Sequence, residues 1–264
     1  MIAAHFTFDE CIAYRFDPRT GGEAARAGLF DKFGVKSLYW SESVTEQEYV
    51  SNKLIVEASD YKGLNFRGVG WTGYCMAEPE FGASGIVLPA ADVYSALQTG
   101  VIDACELGNV FSNMNNALHE VCKYGGFPGM HQFSQTGSQL INIKKWNSLP
   151  PDMHKILEVI CNAKVLRNNA YNWISCAYAM DKLEANGNIM VRESPACQRT
   201  WRDVSWRIAD RMAEKSERFK EEWEREKAFI NNIRAYLTIQ TPMMGKKMTT
   251  IGVFKWSEMK KELR

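Results

Sequence analysis

Apolar and polar positions change period several times along the chain, and each change marks an element. Around His5, Phe6 and Phe8 the pattern partly alternates, and Asp17, Pro18 and Arg19 then supply a loop. Gly22 to Phe33 has helical composition, with Leu29, Phe30 and Phe33 on neighbouring faces and Gly34 as a stop. Val35 to Trp40 reads as a strand. Ser41 to Asn52 is polar, and Val50 to Val56 suits a second short strand. From Asp60 to Glu106 the pattern is that of a layered α/β unit. A turn leads into a short apolar strand ending at Arg67, then a helix running to Gly82. A strand over Ile86 to Leu88 follows, then a helix opened by Pro89 and closed by Gly100, then a strand at Val101 and Ile102. Leu64 and Phe66 alternate with Asn65 and Arg67, which throws the arginine out of the core at the strand end.

Further on, Gln135 to Ile143 reads as a strand and Leu149-Pro150-Pro151-Asp152 opens a long helix. Ile156, Ile160, Ala163, Ala170, Trp173, Ala177 and Met180 recur at helical steps, and no proline intervenes before Gly187. Such a helix spans roughly 50 Å. Asn188 to Val191 adds a strand, and Pro195 to Tyr236 reads as helical, with Trp201, Trp206, Phe219, Trp223 and Phe229 as core anchors. The mixed charges of SERFKEEWEREKAF suit a solvated helix face.

Composition narrows the function. With 264 residues, 45% apolar and 12% aromatic, the chain holds enough material for a packed core of two modest lobes. A formal charge of +1 argues against a nucleic-acid partner. No apolar run reaches the roughly 20 residues of a spanning helix, and residues 1 to 16 do not read as a secretion leader. The seven cysteines contain no CxxC pair, so they read as buried thiols and not as a zinc or redox site.

Three motifs carry chemistry. Gly68-Val69-Gly70-Trp71-Thr72-Gly73 is a literal GxGxxG, but no acidic residue ends the next strand as a dinucleotide site requires. The glycines instead allow a sharp turn and close approach beside Arg67. Glu106 follows the last strand of the unit, where open α/β sheets place ligand contacts. His131 is either a site residue or a hydrogen-bonded structural histidine. In the polar segment, Gln47 and Tyr49 are candidates to face a ligand, against the plainer reading of a solvated loop.

The runs KGLNFR, GAS and LPAADVYSALQTGVIDACE resemble the signature region of the solute-binding proteins of tripartite ATP-independent (TRAP) transporters. DKFGVK, KYGGFPGMHQ and INIKKWNSLPPDMHKIL extend the likeness more loosely. The resemblance implies an α/β, periplasmic-binding-protein-like (type II) fold of two lobes with a long spine helix and an incomplete first lobe. Residues 1–33 and 126–165 would form what remains of that lobe, 34–125 and 166–240 the second, and 241–264 a tail. It implies a periplasmic protein that captures a 2-oxo, 2-hydroxy or dicarboxylic acid and hands it to membrane permease subunits, with a homodimer as a further partner arrangement. Arg67 matches the family's carboxylate-pairing arginine. Glu106-Leu107 and His131-Gln132 match pairs that bracket ligand and metal in the 2-oxo-acid binders, and Gln47 matches a pocket glutamine. Leu107 stands where that subgroup has tryptophan and Gln132 where it has glutamate, which removes an anionic oxygen a sodium or calcium ion would use; no cofactor is therefore expected. Two further readings remain: a truncated or non-binding remnant of the family, and an α/β enzyme using Glu106 and His131 as an acid/base pair.

Overall fold

A computed structural model describes residues 6–240 and 252–255. The chain begins with α1 (Phe8–Phe16), α2 (Gly22–Asp31), β1 (Val35–Glu42), β2 (Tyr49–Ser51), β3 (Asn65–Arg67), α3 (Trp71–Met76), β4 (Ser84–Ile86) and α4 (Ala90–Gln98). It continues with β5 (Ala104–Cys105), α5 (Val110–Asn115), α6 (Leu118–Val121), β6 (Tyr124–Phe127), β7 (Thr136–Asn142) and α7 (Ile143–Asn147). The long α8 (Pro151–Ala185), β8 (Ile189–Arg192), α9 (Pro195–Lys215), α10 (Glu217–Gln240) and β9 (Gly252–Phe254) complete it.

Two sheets result. β1 and β7 pair antiparallel, from Val35 opposite Asn142 to Glu42 opposite Thr136. The other sheet has seven strands in the order β4-β3-β5-β2-β6-β8-β9. In it β3 runs parallel to both β4 and β5, and β6 parallel to β8. The main core lies against this sheet and is built on aromatic contacts. The Tyr61 ring meets Tyr49, Phe81 and Trp201 edge-on at 6.1, 5.4 and 6.1 Å, and Phe81 lies 4.5 Å from Trp201. Such geometry suits ring quadrupoles, with negative faces against positive edges. Val93, Leu97, Ile102, Cys105 and Leu118 form a second cluster under α4.

The 35-residue α8 starts at Pro151, whose missing N–H costs nothing in a first turn. Cys161 packs with Leu38 and Trp146, and the Lys164 ammonium sits 5.1 Å from the Trp40 ring. Farther along, Ala179, Met180 and Leu183 pack on Val110 and Met190. One helix thus holds both sheets.

The local differences from the sequence reading have identifiable causes. Residues 8–16 are helical because Thr7 and Glu10 form a reciprocal capping box that outweighs the short alternation before it. His5 lies outside the described residues. The helix after the glycines stops at Met76, short of Gly82, since Pro79 disfavours helical backbone at the residue before it. The strands fall at Tyr49–Ser51, Ser84–Ile86 and Ala104–Cys105, because parallel and antiparallel pairing selects which residues of each apolar run join the ladder. The helix read from Pro195 to Tyr236 breaks at Ser216, which is extended and whose hydroxyl accepts from the Phe219 N–H. On α8 the buried face is Cys161, Val165, Asn169 and Leu183, whereas Ile156, Ile160 and Trp173 face solvent. Of the tail from 241 to 264, β9 extends the sheet beside β8 and the rest lies outside the described residues, Lys255 excepted.

Candidate ligand site

The parallel ladder assembles the first half of the site. Arg67 pairs with Cys105, and the Glu106 N–H donates to the Arg67 carbonyl at 3.1 Å, so both side chains leave adjacent strand ends. The alternation argument put Arg67 outside the core, yet it is only 5% exposed. A buried guanidinium needs acceptors, and these are present. Nη1 donates to the Glu106 carbonyl and, at 3.2 Å, to Glu106 Oε1; Nε and Nη2 donate to the Leu88 carbonyl at 3.2 Å each. One N–H on Nη2 is left without a partner among the described residues. The glycine-rich turn closes over the same carboxylate, with Val69 N donating to Glu106 Oε1 at 2.7 Å.

The second half comes from two extended segments. Gly129 lets the loop after β6 press on residue 46: a Cβ there would stand 2.3 Å from the Glu46 carbonyl oxygen. This contact holds His131, 1% exposed, between two carboxylates. Nδ1 lies 3.2 Å from Glu48 Oε1, and Nε2 lies 3.2 Å from Glu46 Oε2 and 3.8 Å from Glu106 Oε2. Gln132 Nε2 donates to Glu46 Oε1 at 3.1 Å, and the Met130 N–H donates to Glu48.

The charges are coupled. Burial disfavours the imidazolium of His131, but Glu48 and Glu46 outweigh it and hold the group well above its usual range. Burial raises Glu106, against the pull of His131, the Val69 N–H and Arg67. Glu193 is raised well above its normal range by burial and by Glu48, and accepts from the Tyr61 hydroxyl at 2.6 Å. The line Glu193, Glu48, His131, Glu46, Glu106, Arg67 is therefore a buried network in which one added charge or proton affects several groups.

Glu46, Glu106 and His131 each offer a ligand atom, all within 4.8 Å of one another. Two of the three offer oxygen and one nitrogen, whereas a hard cation favours an all-oxygen shell, and the His131 ring stands beside the carboxylates with Nε2 3.2 Å from Glu46 Oε2.

Of the residues singled out from sequence, Arg67, Glu106, His131 and Gln132 come together. Gln47 and Leu107 do not. Gln47 alternates with Glu46 and Glu48, so it points to the opposite side, where Oε1 accepts from Asn113 Nδ2 at 2.9 Å. Tyr49 instead packs edge-on against Tyr61 in the main core and donates to the Ile55 carbonyl. Leu107 packs on the cluster under α4 and borders a polar cavity with Ser41, Asn109 and Gln135. Glu46 and Glu48 were missed, although two acids at i and i+2 just before an apolar strand is the pattern that places both on one face.

Residues 9–216 match the sequence profile of DctP, described as bacterial extracellular solute-binding protein, family 7. The chain is 28% identical over 217 residues to a monocarboxylate 2-oxoacid-binding periplasmic protein of Nostoc, covering 82% of this chain and 59% of that one. It is also 28% identical over 167 residues to the C4-dicarboxylate-binding periplasmic protein DctP of Vibrio cholerae, covering 62% and 48%. It thus spans about half to three fifths of the curated relatives it matches. A TRAP transporter solute-binding protein from Bordetella bronchiseptica, described as a mixed occupancy dimer with calcium and picolinate, superposes with TM-score 0.83 at 22% identity over 90% of this chain and 70% of that one. One from Pseudoalteromonas atlantica with sodium and pyruvate gives 0.81 at 21% identity over 90% and 72%.

Proposed function

Since this chain belongs to the DctP family of bacterial extracellular solute-binding proteins, family 7, we propose that it binds a small organic acid in the periplasm and delivers it to the membrane permease of a TRAP transporter. The observation that carries the reading is Arg67, a buried cation at a strand end with one N–H uncommitted, beside the polar cluster of Glu106, His131 and Gln132. A carboxylate is the ligand that such a cation selects. The 2-oxo acid named for the Nostoc relative and the C4-dicarboxylate named for the Vibrio relative set the class: a 2-oxo, 2-hydroxy or dicarboxylic acid.

The mechanism follows from the donors. Four Arg67 N–H groups hold Glu106 and the Leu88 carbonyl in place, and the remaining Nη2 N–H meets one ligand oxygen. Gln132, whose amide has a second N–H, and His131 fix the other end through the Glu46 shell. The arriving anion stands near Glu106, whose proton affinity burial has already increased, so Glu106 takes up a proton as the ligand binds. No step is routed through a metal. Binding without turnover is the reading, as Glu106 and His131 are both engaged by buried partners.

The test is titration calorimetry and thermal shift against pyruvate, lactate, malonate and succinate. At least one should stabilise the protein, and Arg67→Lys or Gln132→Ala should weaken that acid. A folded protein stabilised by none of them, or bound equally by both variants, refutes the proposal.

A further inference from the structure

A second cavity, of about 620 Å³, has no ionisable side chain on its border. Its walls come from three places. Ser41, Ser43 and Gln135 lie at the end of the β1 and β7 pair, Asn109 caps α5, and Asn168 and Asn172 stand one turn apart in the middle of α8. None of Arg67, Glu106, His131 and Gln132 borders it. The alternation that turns Glu46 and Glu48 to the ligand cluster turns Gln47 the other way, onto Asn113 of α5, so α5 and this cavity belong to the opposite side of the segment.

Asn109, 7% exposed, ties the three walls together. Its Oδ1 accepts from the Ser112 N–H at 2.9 Å, and Nδ2 donates to Ser43 Oγ at 3.2 Å and to Asn172 Oδ1 at 3.3 Å. What remains open around it is a mixture of donors and acceptors. The Ser43 hydroxyl proton, the second Asn172 N–H and the side-chain amides of Asn168 and Gln135 have no protein partner among the described residues. Asparagine is a poor residue for a helix interior, because its side chain competes for the backbone, so helix propensity does not explain Asn168 and Asn172.

An amide offers both an acceptor oxygen and donor hydrogens, as a hydroxyl does, and a ligand that satisfies this set must also do both. A carboxylate only accepts and an ammonium only donates; either would strand half of the lining, and neither meets a counter-charge. Leu107 and Phe111 border the same cavity and supply apolar surface for C–H groups. Hydroxyl edges with C–H faces describe a sugar ring. We propose that this cavity is a second binding site, which takes a neutral monosaccharide against Asn168 and Asn172 of α8 and Gln135 beside β7. Its volume of about 620 Å³ falls within the range of small-molecule sites. It shares no residue with the Arg67 cluster, so it stands or falls apart from the proposed acid.

Titration calorimetry of the full chain with D-glucose, D-galactose and D-mannose should show saturable binding of at least one, half-saturating at about 1 mM or below. The matching amino sugar, in which one hydroxyl becomes an ammonium, should bind at least about tenfold more weakly. Asn168→Leu and Gln135→Ala should each weaken the bound hexose about tenfold through lost hydrogen bonds, with circular dichroism unchanged. Gln135 is exposed, so its variant reads the site even where Asn168→Leu alters stability. Three results overturn the proposal. One is a response to all three hexoses that grows linearly and never saturates, which is exclusion from the surface. The others are hexose binding that survives both substitutions, and an amino sugar bound as tightly as its parent.

Discussion

Replacing Arg67 by Met leaves the Glu106 carboxylate, about 8% exposed, without its guanidinium. At the observed 3.2 Å and an effective dielectric near 20, the lost attraction is about 5 kcal/mol. Part is recovered, because burial already raises Glu106 and the carboxyl can take up a proton, each tenfold gain in proton affinity being worth about 1.4 kcal/mol. The net cost at neutral pH should be about 3 kcal/mol, near the low end for breaking a buried pair. For a chain of this size that lowers Tm by roughly 10 °C. Glu106→Gln added to Arg67→Met removes the stranded charge while its amide oxygen still accepts from Val69, so the double variant should be more stable than the sum of the singles by about 2 kcal/mol. Urea denaturation of all four proteins measures this cycle. If Arg67→Met costs less than about 1 kcal/mol, or the two costs simply add, Arg67 is not held as its hydrogen bonds indicate.

Three other outcomes are expected. His131 binds its proton more tightly folded than unfolded, so its contribution is complete below a pH of about 6.5 and is lost as pH rises through the raised folded value; Glu106 has the same sign and starts to act from a pH of about 4.3. Unfolding free energy should therefore fall on going from mildly acidic to alkaline buffer, and a rise over that range would contradict the assignment. Calorimetry of acid binding in two buffers of different ionisation enthalpy should show proton uptake that Glu106→Gln abolishes; equal heats after correction would remove Glu106 from the mechanism. Gly129→Ala drives a Cβ to 2.3 Å from the Glu46 carbonyl oxygen and should cost more than the roughly 1–3 kcal/mol typical of overpacking, read from the denaturation midpoint; a neutral result would mean the loop does not press on residue 46.

The parts of the fold that were legible from sequence are those set by local chemistry. Pro151 and Gly187 bracket α8, Pro89 and Gly100 bracket α4, and the apolar run of Leu64 and Phe66 gives β3 its buried side. Arg67 and Glu106 were singled out because strand ends are where ligand groups collect, and the pair His131-Gln132 through the family resemblance. What was not legible depends on partners distant in the chain. Arg67 is buried because Leu88 and Glu106 supply acceptors 21 and 39 residues away. Glu46 and Glu48 gain their meaning only from a histidine more than 80 residues on. On α8, two apolar faces at helical spacing left periodicity unable to say which one meets the sheets.

The two attachments of α8 lie near its opposite ends, with Cys161 and Lys164 on β1 and its neighbours and Ala179 to Leu183 on α5 and β8. A rod about 50 Å long converts small angles into large displacements. Were it to stay fixed on one sheet and tilt by about 5°, its far end would travel about 4 Å, more than the length of a hydrogen bond. Whatever strains the contacts at one end is thus delivered to the other as distance, without any side chain between them having to change its packing.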